Sequence, residues 1–385
     1  MRENATVNLS ELLLLGQGSD LASERGVSCD GQLPPASDPD LVARAKSARK
    51  TLGSEVLILG HHYQRDEVIE FADITGDSFK LAQEAANQSS VENIIFCGVH
   101  FMAESADILT SDRQRIILPD LAAGCSMADM ATANQVTQCW SELESIGVAK
   151  HVIPVTYMNS SAAIKSFTGE HGGTICTSSN AEAAMRWAFS QGEKILFLPD
   201  QHLGRNTAVI SLGLDLDDCV LWNPWKPMGG LTEDQIKKAK VILWRGHCSV
   251  HGRFSIDSVN EIRARVPGVQ VLVHPECTHA VVSAADKVGS TEKIIKIVQD
   301  SAPGSKWAIG TELNLVKRIS QNNPDKEIYF LDKDICYCST MNRIDLPHLV
   351  WAMESLVLGT VVNQIQVAPQ VANYSKLALE RMLAL

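Results

Sequence analysis

The chain has 385 residues, 45% of them hydrophobic and 21% charged, an ordinary globular balance with length enough for two or three compact domains. Acidic residues outnumber basic ones 45 to 34 and no Lys/Arg cluster interrupts the chain, which argues against a nucleic-acid groove. No apolar run approaches the ~18 residues of a membrane span, and Leu12–Leu15 is too short for the apolar core of an export signal, so we expect a soluble, cytoplasmic protein with neither nucleic acid nor membrane as partner.

Residues 1–37 carry no clear pattern and are expected to form an N-terminal extension. Beyond them, Val56–Tyr63, Val152–Asn159 and Val269–Glu276 read as short strands ending in polar clusters. Their nearly continuous, β-branched apolar runs suit parallel strands covered on both faces. Each leads to a helical stretch that opens on a hydroxyl cluster with N-cap chemistry: Gly76–Ser78, Thr177–Asn180 and Gly289–Thr291. Second strands follow at Ile94–His100, Ile195–Asp200 and Trp307–Thr311, and third strands at Arg115–Pro119, Val241–Trp244 and Glu327–Leu331. A cysteine stands just past each third strand: Cys125, Cys248 and Cys338.

The spacings repeat. His61 to Ser78, Tyr157 to Ser178 and His274 to Ser290 are 17, 21 and 16 residues, and the next leg, to His100, Asp200 and Thr311, is 22, 22 and 21. The last leg, to the cysteine, is 25, 48 and 27, which places an insertion of about twenty residues in the middle unit, within 205–240. The expected fold is therefore α/β: three homologous three-layer αβα domains with short parallel sheets around a pseudo-threefold axis and the active site at the centre. The units span 38–132, 133–255 and 256–345, with closing helices over 346–385.

The ten cysteines include no Cys-x-x-Cys pair, and a disulfide framework is not expected in a long chain without an export signal. For most of them the ordinary role is that of a small buried apolar residue. Three thiolates brought to one point are different: they hold a metal or cluster and leave one coordination position open to substrate. Spacing alone leaves zinc and iron–sulfur both available.

The segments Gly60–Gln64, Gly76–Ser78, Gly98–Glu104, Gly124–Ala128, Tyr157–Asn159, Cys176–Ala181, Leu198–Leu203, Gly246–His251, His274–Cys277, Gly289–Thr291, Gly310–Glu312 and Cys338–Met341 resemble, in order and spacing over roughly residues 40–360, the quinolinate synthase (NadA) family. The resemblance implies a transferase that condenses iminoaspartate with dihydroxyacetone phosphate, giving quinolinate, phosphate and water in de novo NAD biosynthesis. It implies one 4Fe–4S cluster on Cys125, Cys248 and Cys338, whose free iron is a Lewis acid, with Cys338 preferred over Cys336 because Cys338–Met341 fits the third-ligand motif. Functional neighbours would be the iron–sulfur assembly machinery and an L-aspartate oxidase or aspartate dehydrogenase. A zinc- or iron–sulfur-dependent lyase of another small phosphorylated substrate, and an electron-transfer iron–sulfur protein, are the competing readings.

Further site residues follow from position. His61 and Tyr63 match the family's first-domain pair and are assigned to proton transfer and substrate holding; His62 between them should face away. Tyr157 and Asn159 alternate in the same way and can bind a carboxylate or hydroxyl, and His274 with Glu276 suits general acid–base work. Ser78, Ser178 or Ser179, Ser290 and Thr291 are the expected anion holders at helix starts. Glu104 and the Asp200–His202 pair either line the cavity or brace it, and His251 is expected to orient the Cys248 loop.

Overall fold

The computed structural model describes residues 33–333 and 337–385. Most of the expected N-terminal extension, Cys29 and Cys336 lie outside the described residues.

Three sheets carry the molecule. The first holds β1 (Val56–His61), β2 (Ile74–Gly76), β3 (Asn93–Cys97) and β4 (Arg115–Ile117) in the order β4-β3-β1-β2. The second holds β5 (Val152–Tyr157), β6 (Thr174–Cys176), β7 (Lys194–Leu198), β8 (Cys219–Trp222) and β9 (Val241–Trp244) in the order β6-β5-β7-β9-β8. The third holds β10 (Gln270–Val273), β11 (Lys287–Val288), β12 (Lys306–Gly310) and β13 (Glu327–Phe330) in the order β11-β10-β12-β13. The same four-strand arrangement thus occurs three times, every pair within it parallel. β1 is buried at every position, as an apolar run covered on both faces requires.

The sequence pattern does not reveal β2, β6 and β11, which have only two or three residues each. They are the short strands from which the chain turns into the hydroxyl clusters. β8 is an extra edge strand within 205–240, pairing with β9 in register Trp222↔Trp244. Its Trp222 packs under Gly229, whose φ is +63° and whose Cβ would stand 2.5 Å from the indole, so only glycine closes that turn. A short β14 (Gln364–Ile365) joins β4 antiparallel, between the helices Leu346–Val357 and Pro369–Ala384.

Helices cover the sheets through apolar stripes. Leu41–Leu52 buries Leu41, Ala45, Ala48 and Leu52, one helical face, and its Arg44 forks onto Glu354 of the Leu346–Val357 helix at 2.8 and 2.6 Å. The last helix lies on Ala162–Glu170, so close at Gly169 that a Cβ there would stand 1.9 Å from the Tyr374 carbonyl oxygen. The first two sheets and the C-terminal helices share one apolar core, whereas the third sheet packs into cores of its own. Its tie to the first sheet's β1 loop is polar: Arg318 donates to the carbonyls of His62 and Gln64 at 2.8 Å each and to Asp66 at 2.9 Å.

Candidate active site

The carboxyl ends of β1, β5 and β10 open onto one cavity with about 660 Å³ of free space. Ligands of open α/β sheets sit at that end of the strands. β1 brings His61, with Tyr63 just beyond it; β5 brings Tyr157, with Asn159 beyond; β10 is followed by His274 and Glu276. His62 turns away and pairs its Nε2 with Glu292 Oε1 at 2.9 Å.

Ser78 and Thr291 line the cavity as the first residues of the helices Ser78–Asn87 and Thr291–Gln299, and Ser178 lines it just before the helix Ala181–Gln191. Ser179 and Ser290 are not among the described lining residues; Ser179 donates instead to Asp77 Oδ2 at 3.0 Å. Neither Lys nor Arg is among the described lining residues, so the positive potential for an anion comes from three helix N-termini. Each is worth about 0.3–1 kcal/mol, rising to ~2 where partly buried.

Cys125, Cys248 and Cys338 reach the same wall, one from each unit, all three with free sulfurs. Each sulfur accepts backbone N–H groups from residues two or three places further on: Met127 and Ala128 for Cys125, His251 for Cys248, Thr340 and Met341 for Cys338. Burial pushes all three thiols above the ordinary range, so in the absence of a cation they are protonated. N–H donors aimed at sulfurs in a dry wall are an environment that suits metal-bound thiolates.

An acidic helix cap holds one of these loops. Glu312 caps Leu313–Asn322, accepting from Asn314 at 2.7 Å and Leu315 at 3.3 Å, and also accepts from Cys338 N at 3.4 Å. Asp200 caps Gln201–Asn206 in the second unit through the N–H groups of His202 and Leu203 at 2.6 and 2.9 Å. Glu104 accepts from Ala162 N at 2.9 Å. Glu104, Asp200 and His202 are not among the described lining residues and stand behind the wall as braces.

Glu276 is the charged centre, 2% exposed. Burial works to raise its pKa, but the hydrogen bonds that it accepts from His251 and Tyr157 prevail and hold it below the ordinary carboxylate range. His251 Nδ1 lies 2.8 Å from Glu276 Oε2, and the Tyr157 hydroxyl donates to Oε1. Burial, then Glu276, raises the Tyr63 and Tyr157 phenols well above their usual range, which leaves them as proton donors. Desolvation drives His61 and His274 to about 3, so both are neutral imidazoles.

Sequence reasoning undervalued His251 and missed Asp77 and Thr311, the latter fully buried with its hydroxyl 3.0 Å from the Tyr63 hydroxyl and 3.1 Å from His251 Nε2. His251 stacks on His274, ring centroids 4.3 Å apart at 17°, and is 2% exposed. Its only sequence signal was its place three residues after Cys248. Asp77 lines the cavity while capping Phe79 and Lys80 at 3.1 and 3.0 Å.

Fold and site together define an α/β enzyme with a buried acid–base centre beside three convergent cysteines. The family described as quinolinate synthetase A protein (NadA) matches residues 43–384, and the chain belongs to it. It is 68% identical over 376 residues to the quinolinate synthase of Streptomyces coelicolor, covering 97% of this chain and 95% of that one. It is 67% identical over 380 residues to that of a Nocardioides species (97% and 96% covered) and 55% identical over 349 to that of Corynebacterium glutamicum (91% and 88% covered).

Proposed function

We infer that the chain is a quinolinate synthase that condenses iminoaspartate with dihydroxyacetone phosphate, with loss of phosphate and water. The observation that carries this reading is the convergence, in one cavity, of three cysteines cradled by N–H groups, an ionised Glu276 and three helix N-termini. Two carboxylates and a phosphate need anion sites without a strong side-chain cation, and the helix starts at Ser78, Ser178 and Thr291 supply them.

The cysteine set fits a 4Fe–4S cluster better than a single ion. Tetrahedral zinc with ~2.3 Å bonds needs sulfurs about 3.8 Å apart. Among the described residues the one trio of ligating side chains with atoms within 4.8 Å is Cys248, His251 and Glu276, so the three sulfurs are spread more widely than that. That trio is a weak zinc site, because both His251 nitrogens and both Glu276 oxygens already have partners inside the protein. When bound, a cluster on Cys125, Cys248 and Cys338 would supply an iron without a protein ligand as Lewis acid for a substrate oxygen.

The chain's own residues divide the remaining work. Asn159 has a buried Oδ1 without a partner and can hold a substrate hydroxyl or amine. Glu276 is the base, and Tyr157 and Tyr63 are the acids whose protons it can receive or replace. His61 and His274, kept neutral, can accept a hydrogen bond at one nitrogen while donating from the other. Anaerobic purification, Mössbauer and electron paramagnetic resonance spectroscopy, and an assay with both substrates test the reading. A 4Fe–4S spectrum with quinolinate formed is expected; a colourless protein with one zinc, or an intact cluster without quinolinate, overturns it.

A further inference from the structure

Among the described residues Lys165 is the one lysine or arginine buried completely, at 0% exposure. It stands on the helix Ala162–Glu170 of the second unit and reaches across to the helix His100–Leu109 of the first. Its Nζ donates to the Ser160 carbonyl at 2.5 Å and to the Phe101 carbonyl at 3.3 Å, and lies 5.3 Å from the centre of the Phe101 ring. Two carbonyls and a ring face suit an ammonium, which has only N–H bonds to offer.

What the ammonium lacks is a counter-ion. No carboxylate oxygen among the described residues lies within 4.0 Å of it. Glu104, on the facing helix, is turned elsewhere: Oε2 accepts from Ala162 N at 2.9 Å and Oε1 faces His100 Nδ1 at 3.8 Å. A buried charge without a partner is unfavourable, and burial draws Lys165 down to about 8, while Glu104 and Cys125 pull the other way. Near neutral pH it therefore keeps its proton.

The missing partner lies at the cavity wall. His100 N donates to the Ala123 carbonyl at 2.8 Å, which seats the loop before Cys125 on the start of the helix whose next residue, Phe101, accepts from Lys165. Phe101 and Cys125 both line the cavity, whereas Lys165 is not among the described lining residues. The ammonium thus stands behind the Cys125 wall, out of contact with substrate. Once a cluster is loaded, three thiolates outweigh the charge of its oxidised core, and the wall turns anionic beside the ionised Glu276.

We propose that Lys165 is the buried counter-charge of the cluster, an ammonium lent by the second unit to the cysteine loop of the first, and that its field makes the open iron a stronger acceptor for a substrate oxygen. In a dry wall such a field is weakly screened. The condensation transfers no net electrons, so the reduction potential serves only to gauge that field: a fixed positive charge favours the more negative, reduced cluster. The competing role is mechanical. The two hydrogen bonds tie Phe101 to the loop that carries Asn159, and a neutral donor could do that much.

The proposal rests on the cluster-bearing synthase reading, and the experiment separates the two. Full-length, cluster-loaded enzyme is titrated anaerobically and followed by electron paramagnetic resonance. Lys165→Met removes charge and hydrogen bonds together, whereas Lys165→Gln removes the charge and keeps an N–H donor. Both should shift the one-electron reduction equilibrium about tenfold or more toward the oxidised cluster, ~59 mV lower in midpoint. A wild-type potential in either variant overturns the proposal, and where only one of them loads a cluster, that one decides. If neither loads, Lys165→Arg decides: a cluster in that charged variant supports the counter-charge, and none makes Lys165 a folding residue only. Wild-type enzyme without a 4Fe–4S cluster, or with one but making no quinolinate, overturns the functional reading instead.

Discussion

Glu276 holds its charge in a dry wall because His251 and Tyr157 saturate both of its oxygens. Replacing it by Gln keeps the volume and removes the base. Activity should fall by about 10²-fold or more while the cluster signal persists; near-normal turnover in Glu276→Gln would assign the base elsewhere. The neutral histidines make a separate, thermodynamic prediction. Free imidazole titrates near 6.5, whereas desolvation brings His61 and His274 to about 3. The unfolded chain therefore takes up protons below pH 6.5 that the folded chain refuses, and stability present above that pH is lost as pH falls toward 3. At about 1.4 kcal/mol per pH unit and group, the pair should cost on the order of 7 kcal/mol by pH ~4. Anaerobic melting curves should fall on acidification, and less steeply in His274→Asn; parallel curves for the two proteins would contradict the assignment. Most of these residues were legible from the sequence because strand alternation places positions i and i+2 together, as with His61 and Tyr63. Thr311 and Asp77 were not, since their importance lies in partners more than 100 residues away that no local period encodes.

The elements that were legible are the long ones. β1, β5 and β10 show themselves by continuous apolar runs, but β2, β6 and β11 are too short for any periodicity to register. Those short strands decide which hydroxyl reaches the cavity: Met158 N bonds the Cys176 carbonyl at 2.7 Å at the end of β6, and Ser178, not Ser179, then lines the cavity. The extra strand β8 was readable only as surplus length. At this scale the close approach of the last helix to Ala162–Glu170 is a sharp test. Gly169→Ala puts a methyl into the Tyr374 carbonyl and should destabilise by about 1–3 kcal/mol, seen as a lower melting temperature. An unchanged melting temperature would mean that the two helices separate freely.

Across the whole molecule, two units share an apolar core while the third is tied to β1's loop by Arg318, Asp66 and the His62–Glu292 pair. Arg318 is 16% exposed in its side chain, and losing it strands two carbonyls next to Tyr63. Arg318→Met should therefore reduce turnover by about tenfold with a smaller loss of stability; equal losses of both would make Arg318 a purely structural clamp. The same architecture explains why Cys125, Cys248 and Cys338 stand 123 and 90 residues apart: each follows an equivalent strand, and the set exists only when three sheets close on one cavity. Cys139, buried in the Ala133–Ser145 helix away from that wall, should be replaceable by Ser with both cluster and activity retained. The most direct measurement is Mössbauer spectroscopy of the anaerobic wild type beside Cys125→Ser, Cys248→Ser and Cys338→Ser, each paired with its quinolinate assay. The account predicts a 4Fe–4S spectrum and turnover in the wild type and the loss of both in every variant. A wild type that binds a single metal ion, or a full cluster retained in any of the three variants, would contradict it.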